Sequence, residues 1–294
     1  MGIATRLATA INSLRDRNRF AKNGNTLSSE LNRLYAQHHA DCRKKSIIQS
    51  NADDLTTAAL LAKDGMVKLP PLEPNAISEI SERVKQHFAS IPSENGFAYA
   101  KLDFAQTLAP FVYEAMRARV AGVLEAYYRS HFQPYWSRIL HYESGYVHPP
   151  SSSFGYHIDD NPKQLLKVFF YLNDTRESNA AFRAFDYSAS RKLLKKGFIS
   201  SSEALREKSQ ALVTDAFVKE NLRILEGDAG TILIFDNNLV HKATVPQEGY
   251  RDALVVEVYP AERPFTEESI RRALGAEIKT DYPLDPYHND LQDS

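Results

Sequence analysis

Two hydrophobic periods divide the chain. Ile77, Ile80, Val84 and Phe88 recur every three to four residues, and so do Phe111, Met116, Val120 and Leu124. Each set predicts a helix with one apolar stripe, over Asn75–Ala89 and Ala109–Tyr128. A shorter helix is predicted over Asp53–Lys63, stopped at Asp64-Gly65, where glycine supplies the permissive turn. Met66–Leu69 then runs extended into Pro70-Pro71. From Tyr135 the period shortens. Tyr135–Tyr142, Gly155–Asp159, Leu165–Leu172, Ala181–Tyr187, Gly230–Phe235 and Ala253–Tyr259 are short runs rich in Val, Ile, Phe and Tyr, bounded by Asn, Asp, Gly or Pro. They predict strands. Ser144–Phe154 reads as a loop and Ser201–Glu220 as a helical insertion between strands. Short strands without regular intervening helices favour an antiparallel sandwich or barrel over a parallel sheet. The expected fold is mainly β with a helical N-terminal half, the β core starting near residue 135.

Composition narrows the function. At 294 residues, 43% hydrophobic and 25% charged, the chain carries the apolar content of a folded domain. A formal net charge of −1 gives no overall field for nucleic acid, and no apolar run approaches the roughly 20 residues of a membrane span. The single cysteine, Cys42, closes no internal disulfide and holds no multi-cysteine metal centre. The expected partner is a small-molecule substrate. Charge is unevenly spread: residues 1–49 carry nine Lys or Arg and three acids. A basic helical extension is expected over residues 1–50, a main domain over 51–265, and a C-terminal helix and tail over 266–294. The expected location is cytoplasmic. Leu7, Ile11 and Leu14 beside Arg15, Arg17 and Arg19 also suit a mitochondrial transit peptide.

The candidate chemistry lies in the second half. His157 and Asp159 stand two apart in Gly155-Tyr156-His157-Ile158-Asp159, so a strand there would turn both toward one face. His241 follows the apolar run Thr231–Phe235, which the tight turn Gly227-Asp228-Ala229-Gly230 introduces, and Arg251 lies ten residues beyond it. Two imidazoles and one carboxylate can occupy one face of an iron(II) octahedron and leave three positions for reactants. A guanidinium nearby would fix the far carboxylate of a chelating 2-oxo acid through a bidentate pair. An isolated His-x-Asp is as readily a hydrogen-bonded core pair; the ordered set carries the metal reading. A cupin-like site with His141 or His148 as a ligand, and a catalytically silent binding module, are the alternatives.

Tyr156–Asp159, Leu166–Asp174, and Gly227–Asp236 continued through Asn237-Asn238-Leu239-Val240-His241 to Arg251, resemble the phytanoyl-CoA dioxygenase-like family of iron(II)/2-oxoglutarate oxygenases. The resemblance spans about residues 52–260. It implies a double-stranded β-helix, or jelly-roll, core, with His157, Asp159 and His241 on Fe(II) and Arg251 anchoring 2-oxoglutarate. Dioxygen would be the other cosubstrate. Lys167 matches a frequent family lysine, either holding an acid group or solvated at a strand start. The implied activity is hydroxylation of an unactivated C–H bond of a small metabolite or biosynthetic intermediate, with succinate and CO2 as coproducts. Asp160 is expected to point away from the metal. Arg138, His141, Tyr142 and Arg183 are candidate substrate contacts. Two positions depart from the family pattern. Asn179-Ala180-Ala181-Phe182 stands where relatives commonly read Asn-Gly-Pro-Leu, and Ala253 where some oxygenases place Ser or Thr.

Overall fold

The structure, a computed structural model, describes residues 29–91, 96–147, 153–159, 161–199 and 203–276. Residues 1–28 of the expected extension, the tail beyond 276, His148 and Asp160 lie outside the described residues. Helix α1 (Ser29–Lys45) is followed by α2 (Ala52–Asp64), strand β1 (Met66–Leu69), α3 (Pro74–Ala89) and β2 (Phe97–Tyr99). Helices α4 (Leu102–Thr107), α5 (Ala109–Ala115) and α6 (Ala121–Tyr128) come next, with a π-helical turn at Met116–Val120 between the last two. The long helix expected over Ala109–Tyr128 is therefore interrupted, although its stripe of Met116, Val120 and Leu124 is fully buried. Asn51 caps α2 by accepting from Asp54 N, and Gly65 closes it at φ +79° with its N–H on Leu61 O. A Cβ at Gly65 would lie 2.7 Å from Leu239 Cδ2, so packing as well as the turn requires glycine.

The second half holds β3 (His131–Glu143), β4 (Leu166–Tyr171), β5 (Phe182–Phe185), α7 (Tyr187–Lys195), α8 (Glu203–Gln210) and α9 (Asp215–Asn221). It ends with β6 (Leu222–Leu225), β7 (Ile232–Asp236), β8 (His241–Lys242), β9 (Tyr250–Ala261) and α10 (Glu267–Gly275). All named strand pairs are antiparallel. A six-stranded sheet runs β1-β7-β4-β9-β3-β2 and a three-stranded sheet runs β6-β5-β8. The expected strand over Gly155–Asp159 is reduced to one bridge, His157 opposite His241. Tyr187, read as a strand end, instead opens α7, because Asp186 caps that helix by accepting from Ala189 N.

The large sheet is covered on both faces, which is why its strands read as nearly continuous apolar runs. Leu166, Val168, Phe170, Ile232, Ile234, Leu254, Val256 and Val258 pack with the helices. Phe169, Tyr171, Leu233, Phe235, Ala253 and Val255 pack instead with Phe182 and Ala184 of the small sheet. The result is a mixed α/β fold with N-terminal helices over a two-sheet core, and no closed barrel forms among the described residues. Helix α1 belongs to this body: Tyr35 and Cys42 are fully buried, and His38 Nε2 bonds Pro260 O at 2.8 Å.

Candidate metal centre

Strand β8 and the segment bridged to it supply the three candidate ligands. His157 and His241 exchange both backbone bonds at 2.9 Å, and Asp159 N donates to Asn237 O at 3.0 Å. These bonds hold the His157–Asp159 segment against the turn that leads into β8. One ligand atom from each of His157, Asp159 and His241 lies within 4.8 Å of the others. Asp159 Oδ1 is 3.4 Å from His157 Nε2, and Oδ2 is 3.9 Å from His241 Nε2. The two-residue spacing therefore does bring imidazole and carboxylate together.

Local hydrogen bonds fix the imidazoles. His157 Nδ1 bonds Gly155 O at 2.9 Å and His241 Nδ1 bonds Leu239 O at 2.8 Å. A carbonyl only accepts, so each Nδ1 carries a proton and each Nε2 is the nitrogen turned toward Asp159. Burial, then the adjacent His157, holds the His241 pKa down to about 3, so this imidazole is neutral over the ordinary pH range. Two imidazoles presenting Nε2 and a carboxylate, with the second ring nitrogens engaged by backbone, suit a divalent transition metal.

Lys167 extends the centre. Its Nζ bonds Asp159 Oδ2 and lies 3.5 Å from Glu257 Oε1, across the Lys167–Glu257 register pair of β4 and β9. Tyr135 OH donates to Glu257 Oε2. Burial alone would lower the Lys167 pKa, but Asp159 and Glu257 together raise it. Lys167 is thus not a solvated strand start. Glu257 and Tyr135 escaped the sequence reading, although a Glu amid Leu254-Val255-Val256-Glu257-Val258 was the available signal.

Arg251 is buried on the same inward face of β9 as Ala253 and Val255. Its Nη1 donates to Ala180 O at 2.5 Å, while its Nε has no hydrogen-bond partner. The guanidinium sits 4.9 Å from the Tyr142 ring centroid and 5.9 Å from that of Phe169. Burial lowers its pKa, and no described carboxylate forms an ion pair with it. A buried, incompletely bonded guanidinium fits the far carboxylate of a dicarboxylic cosubstrate. Aromatic rings occupy the ground between: Phe169 and Phe182 are 6.2 Å apart by centroids, and Phe182 and His241 are 5.7 Å apart. Ala180, where the family pattern commonly has Gly, adopts φ +75°. The loop thus takes the left-handed turn without the residue that takes it most readily.

The candidate substrate residues separate. Register places Arg138 opposite Val255 and Tyr142 opposite Arg251, so both face inward with Trp136 and Leu140. Arg138 lies over Trp136 at 5.2 Å and bonds Ser137 O at 2.9 Å. His141 points to the opposite, helix-covered face, where Nδ1 is 2.5 Å from Asp252 Oδ1 and Phe88 stacks on the ring. It is remote from the cluster by sheet alternation. Arg183 faces outward from the small sheet, opposite Lys242, and bonds Glu177 at 2.9 Å. A cavity of about 780 Å³ lies elsewhere, between α3 and Leu172–Asp174, and none of the three candidate ligands lines it.

No family model matches the sequence, and no curated protein matches it. Solved structures do match. EctD from S. alaskensis in its apo form shares 14% identity over 73% of this chain and 81% of that chain, at a TM-score of 0.51. AviO1 from Streptomyces viridochromogenes shares 17% over 74% and 99%, at 0.49. The epimerase SnoN in complex with Fe3+, alpha ketoglutarate and nogalamycin RO shares 15% over 71% and 84%, also at 0.49. At these identities the likeness is one of fold. The chain has the fold of EctD and, within it, a two-histidine, one-carboxylate cluster of the kind that its resemblance to the phytanoyl-CoA dioxygenase-like family implies.

Proposed function

We propose that the chain is an Fe(II)/2-oxoglutarate-dependent oxygenase of the phytanoyl-CoA dioxygenase-like family, with a jelly-roll core. Its reaction is hydroxylation of an unactivated C–H bond of a small molecule, with succinate and CO2 as coproducts. The observation that carries this reading is the convergence of His157 Nε2, His241 Nε2 and Asp159 on one point, with both Nδ1 protons committed to backbone. In this reading these three hold Fe(II), and Arg251 grips the far carboxylate of 2-oxoglutarate. Bound iron and 2-oxoglutarate supply the oxidising power, using dioxygen; the chain's residues bind, orient and exclude water. Phe169, Phe182 and Phe235 form an apolar wall beside His241 that limits water there. Arg138 and Tyr142, inward on β3, are the proposed substrate contacts, and His141 is assigned to the sheet's structural face. In this reading residues 1–50 are a basic segment whose helix α1 packs on the oxygenase domain of 51–265, residues 266–294 are the C-terminal helix and tail, and the location is cytoplasmic. No described helix is long and apolar enough to cross a membrane.

Anaerobic titration tests the reading. Fe(II) and 2-oxoglutarate added together should produce a weak visible charge-transfer band that neither gives alone, and Asp159→Ala should abolish it. Succinate formation against a metabolite panel then identifies the substrate. A parent protein with no band and no succinate would leave a binding module on the same fold.

A further inference from the structure

Another cavity, of about 560 Å³, opens where α1, α2 and α6 meet the Lys163-Gln164 segment, and none of the three candidate metal ligands lines it. Its charged lining is of one sign: Arg43 from α1, Arg129 at the end of α6, and Lys163, with no Asp or Glu. In a chain with 36 basic and 37 acidic residues, composition does not account for three cations gathered without an acid. All three are exposed, and none forms an ion pair with a described carboxylate. Asp236, which feels the charge of Lys163, is buried and bonded by Tyr187 OH and Asn238. The helix end absorbs only part of the positive charge. Tyr128 O, at the carbonyl end of α6, takes His39 Nε2 at 2.7 Å and Arg43 Nε at 3.0 Å. The terminal nitrogens of Arg43, and the side chains of Arg129 and Lys163, make no described hydrogen bond. Arg129 closes α6 at φ +57° and ψ +33°, in the left-handed region where glycine or asparagine costs least. An arginine stands there at a conformational cost. The floor between the cations is apolar. Leu55, Ala58, Ala59 and Ala62 form one stripe of α2 at helical spacing, and Leu55 is 54% exposed.

We propose that this cavity binds a small organic phosphate monoester, its phosphoryl group among Arg43, Arg129 and Lys163 and its apolar body on the α2 stripe. Two guanidinium forks and an ammonium match the charge and the several acceptor oxygens of a phosphoryl dianion. Cations clustered in a cleft also raise the local concentration of such an anion. The volume lies in the range of small-molecule sites. An uncharged ligand would leave the three cations unbalanced, and a bare anion would leave Leu55 and the alanines wet. The site is independent of the oxygenase reading, since Arg251 does not line it either.

Calorimetric titration of the full chain with phenyl phosphate, and separately with inorganic phosphate, tests the proposal. Phenyl phosphate should bind one to one with a Kd below about 5 mM. Inorganic phosphate should bind about tenfold more weakly, the worth of covering about 60 Å² of apolar surface. Arg129→Gly and Lys163→Gln should each weaken phenyl phosphate binding about three- to fivefold, and together about tenfold or more, as rim charges do. Glycine takes φ +57° freely and Lys163 is exposed without a partner, so the urea midpoint should not fall in either variant. Arg117→Gln, which removes an exposed arginine outside the cavity, and Arg251→Met should both bind phenyl phosphate like the parent. A parent without saturable binding in this range overturns the proposal, and so do Arg129 and Lys163 variants that bind like the parent. Equal weakening in Arg117→Gln overturns it as a general charge effect, and loss in Arg251→Met overturns it by placing the anion at Arg251. Equal affinity for the two phosphates overturns the monoester assignment, since the α2 stripe then contributes nothing.

Discussion

Replacing Arg251 by methionine should separate cosubstrate binding from folding. In the structure the guanidinium is buried, donates one hydrogen bond to Ala180 O, rests against Tyr142 and Phe169, and leaves Nε unbonded. Removing it forfeits one charge-assisted hydrogen bond, about 1.5–3 kcal/mol, and two aromatic contacts of about 0.5–1 kcal/mol each. Against this, the substitution removes a desolvated charge that forms no ion pair with a described carboxylate and feels Asp252 only at a distance, an effect of several kcal/mol in the opposite direction. Methionine also fills the aromatic slot with a flexible apolar chain. The unliganded variant should therefore unfold in urea within about 1 kcal/mol of the parent, or be more stable. Binding responds differently. A lost bidentate charge pair of about 2–4.5 kcal/mol corresponds to a roughly 30- to 2,000-fold weaker 2-oxoglutarate Kd, with Fe(II) affinity retained. Arg251→Lys should recover part of the loss, because one ammonium cannot reproduce the planar fork. Anaerobic calorimetry and urea unfolding read the two quantities on the same samples. A variant destabilised by more than about 3 kcal/mol that still binds 2-oxoglutarate like the parent would refute the reasoning and make Arg251 a structural residue.

Three further outcomes are expected. Ala180→Gly should raise stability by about 0.5–1 kcal/mol in urea unfolding, because φ +75° strains alanine more than the extra freedom of unfolded glycine offsets. A chain beginning at Ile47 should lose about 3 kcal/mol or more in urea unfolding, since it removes the buried Tyr35 and Cys42; succinate formed per folded molecule should be unchanged. His39, whose pKa burial lowers to about 4, is neutral when folded and protonates more readily when unfolded. Its contribution therefore disappears progressively as pH falls from about 6.5 toward 4, by up to about 3 kcal/mol before solvent screening, and His39→Gln should flatten that part of the stability–pH curve.

The core was legible because sheet burial leaves a direct trace in sequence. Leu166–Leu172 and Ile232–Phe235 are apolar at successive positions because one face meets the helices and the other the small sheet. The pairing of His157 with Asp159 was legible for the same stereochemical reason, even though only one bridge of the expected strand forms. The small sheet was less so. Strand β8 is two residues long and β6 four, too short for any period to declare itself. The sides taken by His141 and Arg183 depended on which neighbours their strands meet, information absent from local sequence. Tyr135 was hidden by the bulge in β3 between Pro134 and Trp136, since a single extra residue inverts every inward and outward assignment beyond it.

One strand shows how these levels join. Along β9, Arg251, Ala253, Val255 and Glu257 face inward, while Asp252, Leu254, Val256 and Val258 face the helices. The outward set ends in Asp252, whose carboxylate takes His141 and whose backbone N–H takes Asn173 Oδ1. That bonding fixes the outward neighbour of Arg251, while the guanidinium itself is buried against Tyr142 and Phe169. At the other end Glu257 faces Lys167 across the register and Tyr135 across the bulge. The inward face thus carries a cation at one end and an anion at the other, separated by Ala253 and Val255. The guanidinium makes no ion pair with a described carboxylate, and on the oxygenase reading it would take an anion from outside the chain, whereas Glu257 already lies beside the lysine that bonds Asp159. On the oxygenase reading the two ends differ: Arg251 would receive the carboxylate of a ligand, whereas Glu257 already holds Lys167 and Tyr135.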